Sequence, residues 1–309
     1  MDKFSTIPGY INLSKNGELE KRALELKKIL KSCTLCPREC KINRVNSEKG
    51  FCNAGIKPKI SSYNIHNGEE PPISGDRGSG TIFFTGCTMR CVYCQNFPIS
   101  QLYNGIEYEE NELADIMLEL QKRGAHNINL VTPTHYIPQF ASALILACKK
   151  GLKIPIVYNT SGYENVSILK LLSNIVDVYL PDIKYANENI AIKYSKSINY
   201  CDSVKKAVIE MHDQVGDLIT DENGIAIRGL IIRHLVLPSN LAGSGEIMHF
   251  IAENISRNTY LSLMSQYFPA FHSHDFPELC NPVTKKEYEE IIKIVEDENM
   301  PNGWIQPII

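Results

Sequence analysis

From residue 80 onward the chain alternates six continuous apolar runs with stretches of helical periodicity, and few folds accept that pattern. The runs read GTIFFTG, NINLVTP, IPIVYNT, VDVYLPDIK, GLIIRHLVLP and TYLSLMSQY. Between the first two, Leu113, Ile116, Met117 and Leu120 recur at the spacing of an amphipathic helix. Further helices are expected around 138–150, 164–173, 187–212 and 245–256, and a last one carries Tyr288, Ile291, Ile292 and Val295 on one face. Strands that are apolar along their whole length are buried on both faces, so the pattern predicts a parallel sheet covered by helices. Six such strands with crossovers suit an α/β fold of the partial (β/α)6 TIM-like barrel type over residues 76–309. An open doubly wound sheet is the alternative. In both, function collects at the carboxyl ends of the strands. Thr132, Thr134, Asn159, Thr160, Ser161, Asp182, Lys184 and Gln266 stand there.

Residues 1–75 read differently. A helix is expected over residues 18–31, with acids near its start and lysines near its end, the order that complements the helix dipole. Four cysteines follow, and the Gly-, Pro- and Asn-rich stretch 64–80 reads as a linker or loop. The formal net charge is −3 with no Lys/Arg-rich run, which disfavours nucleic acid as the main partner. No apolar run approaches the roughly 18 residues of a membrane span. The first residues are neither basic nor apolar, so no leader is expected and the reading is cytoplasmic. Seven of the ten cysteines lie between Cys33 and Cys94. In a reducing compartment such clustering points to metal rather than disulfides.

Cys87, Cys91 and Cys94 form a C-x3-C-x2-C loop directly after the first strand. Cubane iron–sulfur clusters usually take four thiolates, so three in one loop leave one iron open to another ligand. A structural zinc site, or three unrelated core cysteines, is the alternative; zinc loops more often supply paired C-x2-C units. Cys33, Cys36, Cys40 and Cys52 are spaced C-x2-C-x3-C-x11-C, enough to saturate either a cubane cluster or a zinc ion. A second [4Fe-4S] cluster is the favoured occupant and zinc the other. Cys148, Cys201 and Cys280 are expected to be core thiols.

The cysteine loop, its preceding strand, Gly86 and the aromatic Tyr93 resemble the radical S-adenosylmethionine (SAM) superfamily. Over residues 30–309 the chain is similar to proteins related to pyruvate formate-lyase-activating enzyme, with an extra N-terminal four-cysteine module. The stretches that carry this are CTLCPREC, GEEPPISGDRGSGTIFFTGC, NINLVTPTHYIPQ, VYNTSGY, VYLPDIKY, EMHDQVG, RGLIIRHLVLP and LMSQYFP. The resemblance implies an oxidoreductase with a [4Fe-4S] cluster on Cys87, Cys91 and Cys94. One electron from it splits SAM into methionine and a 5′-deoxyadenosyl radical, which takes hydrogen from a protein or peptide. A reductant such as flavodoxin or ferredoxin is implied as partner. A small metabolite as substrate, or a non-catalytic iron–sulfur or zinc redox protein, are the other readings.

The same resemblance assigns SAM-handling roles. Tyr93 belongs to the cluster loop. Thr132 to Thr134 stand where relatives carry Gly-Gly-Glu for the SAM amino group. Asn159, Thr160, the Leu180 carbonyl, Asp182 and Lys184 match segments that approach the SAM carboxylate and hold a monovalent cation. Asn159 replaces an Asp of relatives and removes one charge. Arg233 matches a strand arginine that anchors SAM. Local ion pairs are the plain alternatives for Asp182, Lys184 and Arg233. His135 is expected to cap the following helix, and Gln266 and Tyr267 to border the substrate, with Met211 and Gln214 left open. No long segment is expected to remain as a lid.

Overall fold

The computed structural model of the chain describes residues 7–308. The expectation of no leader rests partly on residues 1–6, which lie outside the described residues. Two helices open the fold, α1 (Gly9–Lys15) and α2 (Glu18–Ile29), followed by β1 (Lys59–His66) and the single turn α3 (Pro71–Ser74). The barrel then runs β2 (Ser79–Phe84), α4 (Phe97–Ser100), β3 (Ile106–Glu107), α5 (Glu110–Lys122), β4 (Ile128–Val131), α6 (Ile137–Lys149), β5 (Ile156–Thr160), α7 (Val166–Leu172) and β6 (Val178–Pro181). It continues with α8 (Glu188–Ser195), α9 (Tyr200–Val215), β7 (Ile219–Thr220), β8 (Ala226–Leu235), α10 (Ser244–Asn254), β9 (Tyr260–Met264), α11 (Lys285–Asp297) and β10 (Gly303–Ile305).

All six predicted strands are present and pair in parallel, in the order β2, β4, β5, β6, β8, β9, so the sheet is the expected open barrel. A seventh parallel strand, β10, extends the far edge beside β9. On the near edge β1 runs antiparallel to β2, and β3 antiparallel to β1. Strand β7 pairs antiparallel with β8. Helix starts follow their caps: Glu109 with Glu112, and Thr284 with Glu287, form reciprocal capping boxes at α5 and α11. The two N-terminal helices dock on the barrel. The Tyr10 hydroxyl donates to the Ile154 carbonyl at 2.9 Å, and Arg22 donates to the Ser173 carbonyl at 2.5 Å.

The stretch read as a linker is the floor of the barrel. His66 pairs with Ser79, the first residue of β2, so the loop between them lies at the amino ends of the parallel strands. Ile73 packs with Val157, Val178, Leu180, Ala226 and Ile231, and its carbonyl accepts from Asn127 at 2.8 Å. A boundary at residue 75 therefore leaves β1 and this floor on the N-terminal side, although β1 belongs to the sheet. Turn-rich composition reports a bend in the chain, not whether the bend is buried.

Candidate active site

At the carboxyl ends of the strands a cavity of about 470 Å³ opens, with Cys87, Cys91 and Cys94 in its wall. The loop that carries them starts at Gly86, whose φ of 83° is a left-handed conformation open to glycine. A Cβ there would also stand 2.4 Å from the Cys52 carbonyl oxygen. Backbone bonds pin the loop to the end of α8: Arg90 N–H donates to the Ser195 carbonyl at 2.9 Å, and Val92 N–H to the Tyr194 carbonyl at 2.8 Å.

The three sulfurs each have a polar neighbour. Met89 N–H donates to Cys87 Sγ at 3.3 Å, the Ser195 hydroxyl donates to Cys91 Sγ at 3.0 Å, and Cys94 Sγ lies 3.2 Å from the Ser100 hydroxyl. Burial pushes the Cys87 thiol up to about 12 and the Cys91 thiol to about 11, with the Lys184 ammonium opposing the rise at Cys91. Buried thiols of that kind stay protonated until a metal displaces the proton. Three thiols on one cavity wall, each with an outer polar contact, fit a [4Fe-4S] cluster with one free corner.

The strand-end residues converge on the same cavity. Thr132, Asn159, Thr160, Ser161, Asp182, Lys184 and Gln266 all line it. Thr132 holds φ at 57°, a costly conformation for a β-branched residue, and its N–H donates to the Asn159 carbonyl at 2.8 Å. Lys184 Nζ lies 2.5 Å from Asp182 Oδ2. Burial disfavours the Lys184 charge, but the Asp182 carboxylate outweighs it and holds the ammonium protonated. A fixed cation therefore stands on the cavity wall.

Four of the candidate site residues have other partners. Arg233 borders the cavity, but its guanidinium is already paired: Nε with Glu70 Oε1 at 2.5 Å, one terminal nitrogen with Glu70 Oε2 at 2.7 Å, and the same nitrogen with Glu69. Burial would raise the Glu70 carboxyl, yet Arg233 holds it below the ordinary range. Tyr93 is buried behind the loop, its hydroxyl 2.6 Å from that of Tyr185 and its ring edge-on to Tyr267, so it braces the loop rather than facing the cavity. His135 bonds the Thr85 carbonyl at 2.7 Å and caps no helix; burial lowers its pKa to about 4 and keeps it neutral. Tyr267 is likewise buried, donating to the Leu279 carbonyl at 2.6 Å. Met211 lies in the core, and Gln214 is occupied by Tyr179 and Leu169.

The segment after β9 crosses the cluster loop: Phe271 stacks on Phe97 with ring centroids 4.9 Å apart, and His272 N–H donates to the Val92 carbonyl at 2.8 Å. From β10 and just beyond it, Trp304 and Gln306 complete the side wall.

One residue of this neighbourhood escaped the sequence reading. Glu164 is buried and accepts from the Thr134 hydroxyl at 2.5 Å and from the Thr160 hydroxyl, tying two strand ends together. Burial raises its carboxyl to about 7, while those two hydroxyls pull it down. Its only signal in sequence was an acid in the loop that follows VYNTSGY.

The N-terminal cysteines sit in a tightly folded loop. Cys33 N–H donates to the Ile42 carbonyl, and Lys41 N–H to the Cys33 carbonyl, both at 2.9 Å. Glu39, Lys41 and Asn53 take positive φ, so the chain curls beside Cys40 and Cys52. The Cys36 and Cys52 thiols are raised by burial and feel Cys33 as well. All ten cysteines are free of disulfides. Among the described residues, no three His, Cys, Asp or Glu side chains gather as a site for a single metal ion. Arg44, fully buried, fastens this loop to the barrel by donating to the Gly55 and His135 carbonyls.

The fold is an open α/β barrel with three thiols over a cavity at its strand ends. The Radical SAM superfamily model matches residues 81–234. The chain belongs to the Radical SAM superfamily.

Two uncharacterized proteins of Methanocaldococcus jannaschii are similar to it along most of their length. One is 34% identical over 285 residues, 89% of this chain and 77% of the relative. The other is 26% identical over 295 residues, 87% of this chain and 81% of the relative. Among solved structures, a radical SAM methyltransferase from Sphaerobacter thermophilus superposes with a TM-score of 0.51 at 13% identity, over 74% of this chain and 66% of that one. SuiB of Streptococcus suis, bound to its precursor peptide SuiA, gives a TM-score of 0.50 at 12% identity, over 72% and 47%. This chain thus spans less than two thirds of the length of either structure, and the likeness is one of fold. No helix among the described residues is long and apolar enough to cross a membrane.

Proposed function

We propose that this radical SAM enzyme takes hydrogen from a protein or peptide, in the manner of the activating enzymes its sequence resembles. Cys87, Cys91 and Cys94 would hold a [4Fe-4S] cluster, which when bound would supply the electron for splitting SAM. The chain's own residues bind and orient SAM: Lys184 is the fixed cation for its carboxylate, Asp182 holds that cation in place, and Asn159 and Thr160 line the same wall. The N-terminal cysteines carry a second [4Fe-4S] cluster. An external low-potential carrier such as flavodoxin or ferredoxin supplies electrons.

The observation that carries the polypeptide reading is a set of exposed apolar side chains that neighbour two cavity residues in the chain. Gln266 and Gln306 line the cavity and are bonded to each other at 3.2 Å. Within two positions of them in sequence, Phe268, Ile305 and Ile308 are 52%, 42% and 40% exposed. Large apolar side chains left in water suit a partner that covers them. SuiB, which shares the fold, is itself seen with a precursor peptide. The charged floor of Glu69, Glu70 and Arg233 favours a second reading, a small polar metabolite. The test is to supply the reduced enzyme and SAM with deuterated fractions of its own cell extract. Deuterium should reach 5′-deoxyadenosine from the protein fraction; transfer from the small-molecule fraction alone would replace this reading with the metabolite one.

The SAM wall has its own test. Replacing Lys184 by Met should remove a charge-assisted contact worth about 1.5–3 kcal/mol, so SAM affinity should fall more than tenfold. The three-cysteine cluster should still assemble. An unchanged dissociation constant by titration would take Lys184 out of the site.

A further inference from the structure

The two cysteine sets, 35 residues apart between Cys52 and Cys87, are in contact in the fold. The Cys52 carbonyl abuts Gly86, the residue before Cys87, so closely that no side chain fits between them. Arg38, which stands between Cys36 and Cys40 in sequence, crosses this junction. Its Nε donates to the Thr88 carbonyl at 2.5 Å, inside the Cys87–Cys91 loop, and its far end donates to the Lys196 carbonyl at 2.5 Å. Its guanidinium lies 3.3 Å over the Phe51 ring. Arg90, next to Cys91, lies 4.8 Å from the same ring and donates to the Phe51 carbonyl at 2.8 Å. Phe51 therefore meets one arginine from each cysteine loop. Burial lowers the Arg38 pKa, and Tyr163, Cys36, Cys40 and Cys87 lie close enough to oppose that shift.

We propose that Arg38 is a positioning residue shared by the two metal centres, whose fixed positive charge raises the reduction potential of the cluster on Cys87, Cys91 and Cys94. This rests on the cluster assignments above. The physical reason is direct. Net charge and hydrogen bonding around the sulfurs are among the factors that set a cluster's potential. An arginine never loses its proton in this setting, so its effect is constant with pH. Its hydrogen bond to Thr88 and its stack on Phe51 hold that charge at the loop. Because the same charge faces Cys36 and Cys40, it shifts the potential of a centre held there in the same direction.

The test is a potentiometric titration of the anaerobically reconstituted full-length protein, followed by electron paramagnetic resonance. The wild type is compared with Arg38→Gln and Arg38→Lys. The Gln variant should need a lower potential, with at least a tenfold smaller reduced-to-oxidised ratio at the wild-type midpoint. For a one-electron couple that is about 59 mV. The Lys variant, which keeps the charge, should stay close to wild type. Iron content and the change that added SAM makes in the signal identify the cluster on Cys87, Cys91 and Cys94 in each sample; a wild type with only about four iron atoms and no SAM-sensitive signal would mean failure of the cluster assignment instead. Two outcomes overturn the proposal. One is Gln and Lys variants that titrate alike with full iron. The other is loss of the cluster in both, which would leave Arg38 a purely structural role.

Discussion

Arg233→Met should destabilise the fold by about 3–5 kcal/mol, because it strands two buried carboxylates. Glu70 is 1% exposed and makes a two-point contact with the guanidinium, and Glu69 shares the same nitrogen. Both carboxylates are largely withdrawn from water, the Glu69 side chain being 7% exposed. Removing the arginine alone leaves uncompensated charge, whereas adding Glu69→Gln and Glu70→Gln should recover much of the loss. Urea unfolding of the metal-free chains measures both. If Arg233 served SAM only, the variant would unfold at the wild-type midpoint, and the floor described here would be wrong.

Cys91→Ala should halve the iron bound by the reconstituted protein, from about eight to about four atoms per chain, and abolish SAM cleavage. The cluster loop supplies only three thiolates, so losing one leaves two, too few to keep the cubane. Cys36→Ala should lose a similar amount of iron from the other loop. It should leave the cluster on Cys87, Cys91 and Cys94 in place. Iron and sulfide assays decide it. Full iron in the Cys91 variant would remove that residue from the ligand set, and stoichiometric zinc with about four iron atoms in the wild type would give the N-terminal loop to zinc.

What the sequence made legible is what periodicity and spacing encode. The six parallel strands are buried on both faces, so their residues form unbroken apolar runs that stand out from amphipathic helices. The cysteine loop is local, and its spacing carries its chemistry. Lys184 and Asp182 lie two residues apart and point to the same wall, which spacing could also suggest. The illegible parts depend on contacts distant in sequence. Arg233 reads equally as a SAM anchor or as half of an ion pair, because its partners stand 163 and 164 positions earlier. Strand β1 alternates serine, asparagine and histidine with apolar residues, as an outer strand does, and so lacks the signature of a core strand. Strand β10 has three residues, too few for any period. Tyr93 sits between two cavity cysteines, and only the turn of the loop, set by Met89 and Ser195, sends its ring to the rear. Glu164 works through hydroxyls on two different strands, a relation that no linear spacing records.

The central claim is that this chain makes a radical from SAM at the three-cysteine loop. The most direct measurement is to reconstitute the full-length protein without oxygen, reduce it with dithionite, add SAM and quantify products by chromatography. The account predicts 5′-deoxyadenosine and methionine in equal amounts. Both should be absent without reductant and absent from the Cys91 variant. SAM recovered intact from a protein with full iron content and a reduced cluster would contradict it.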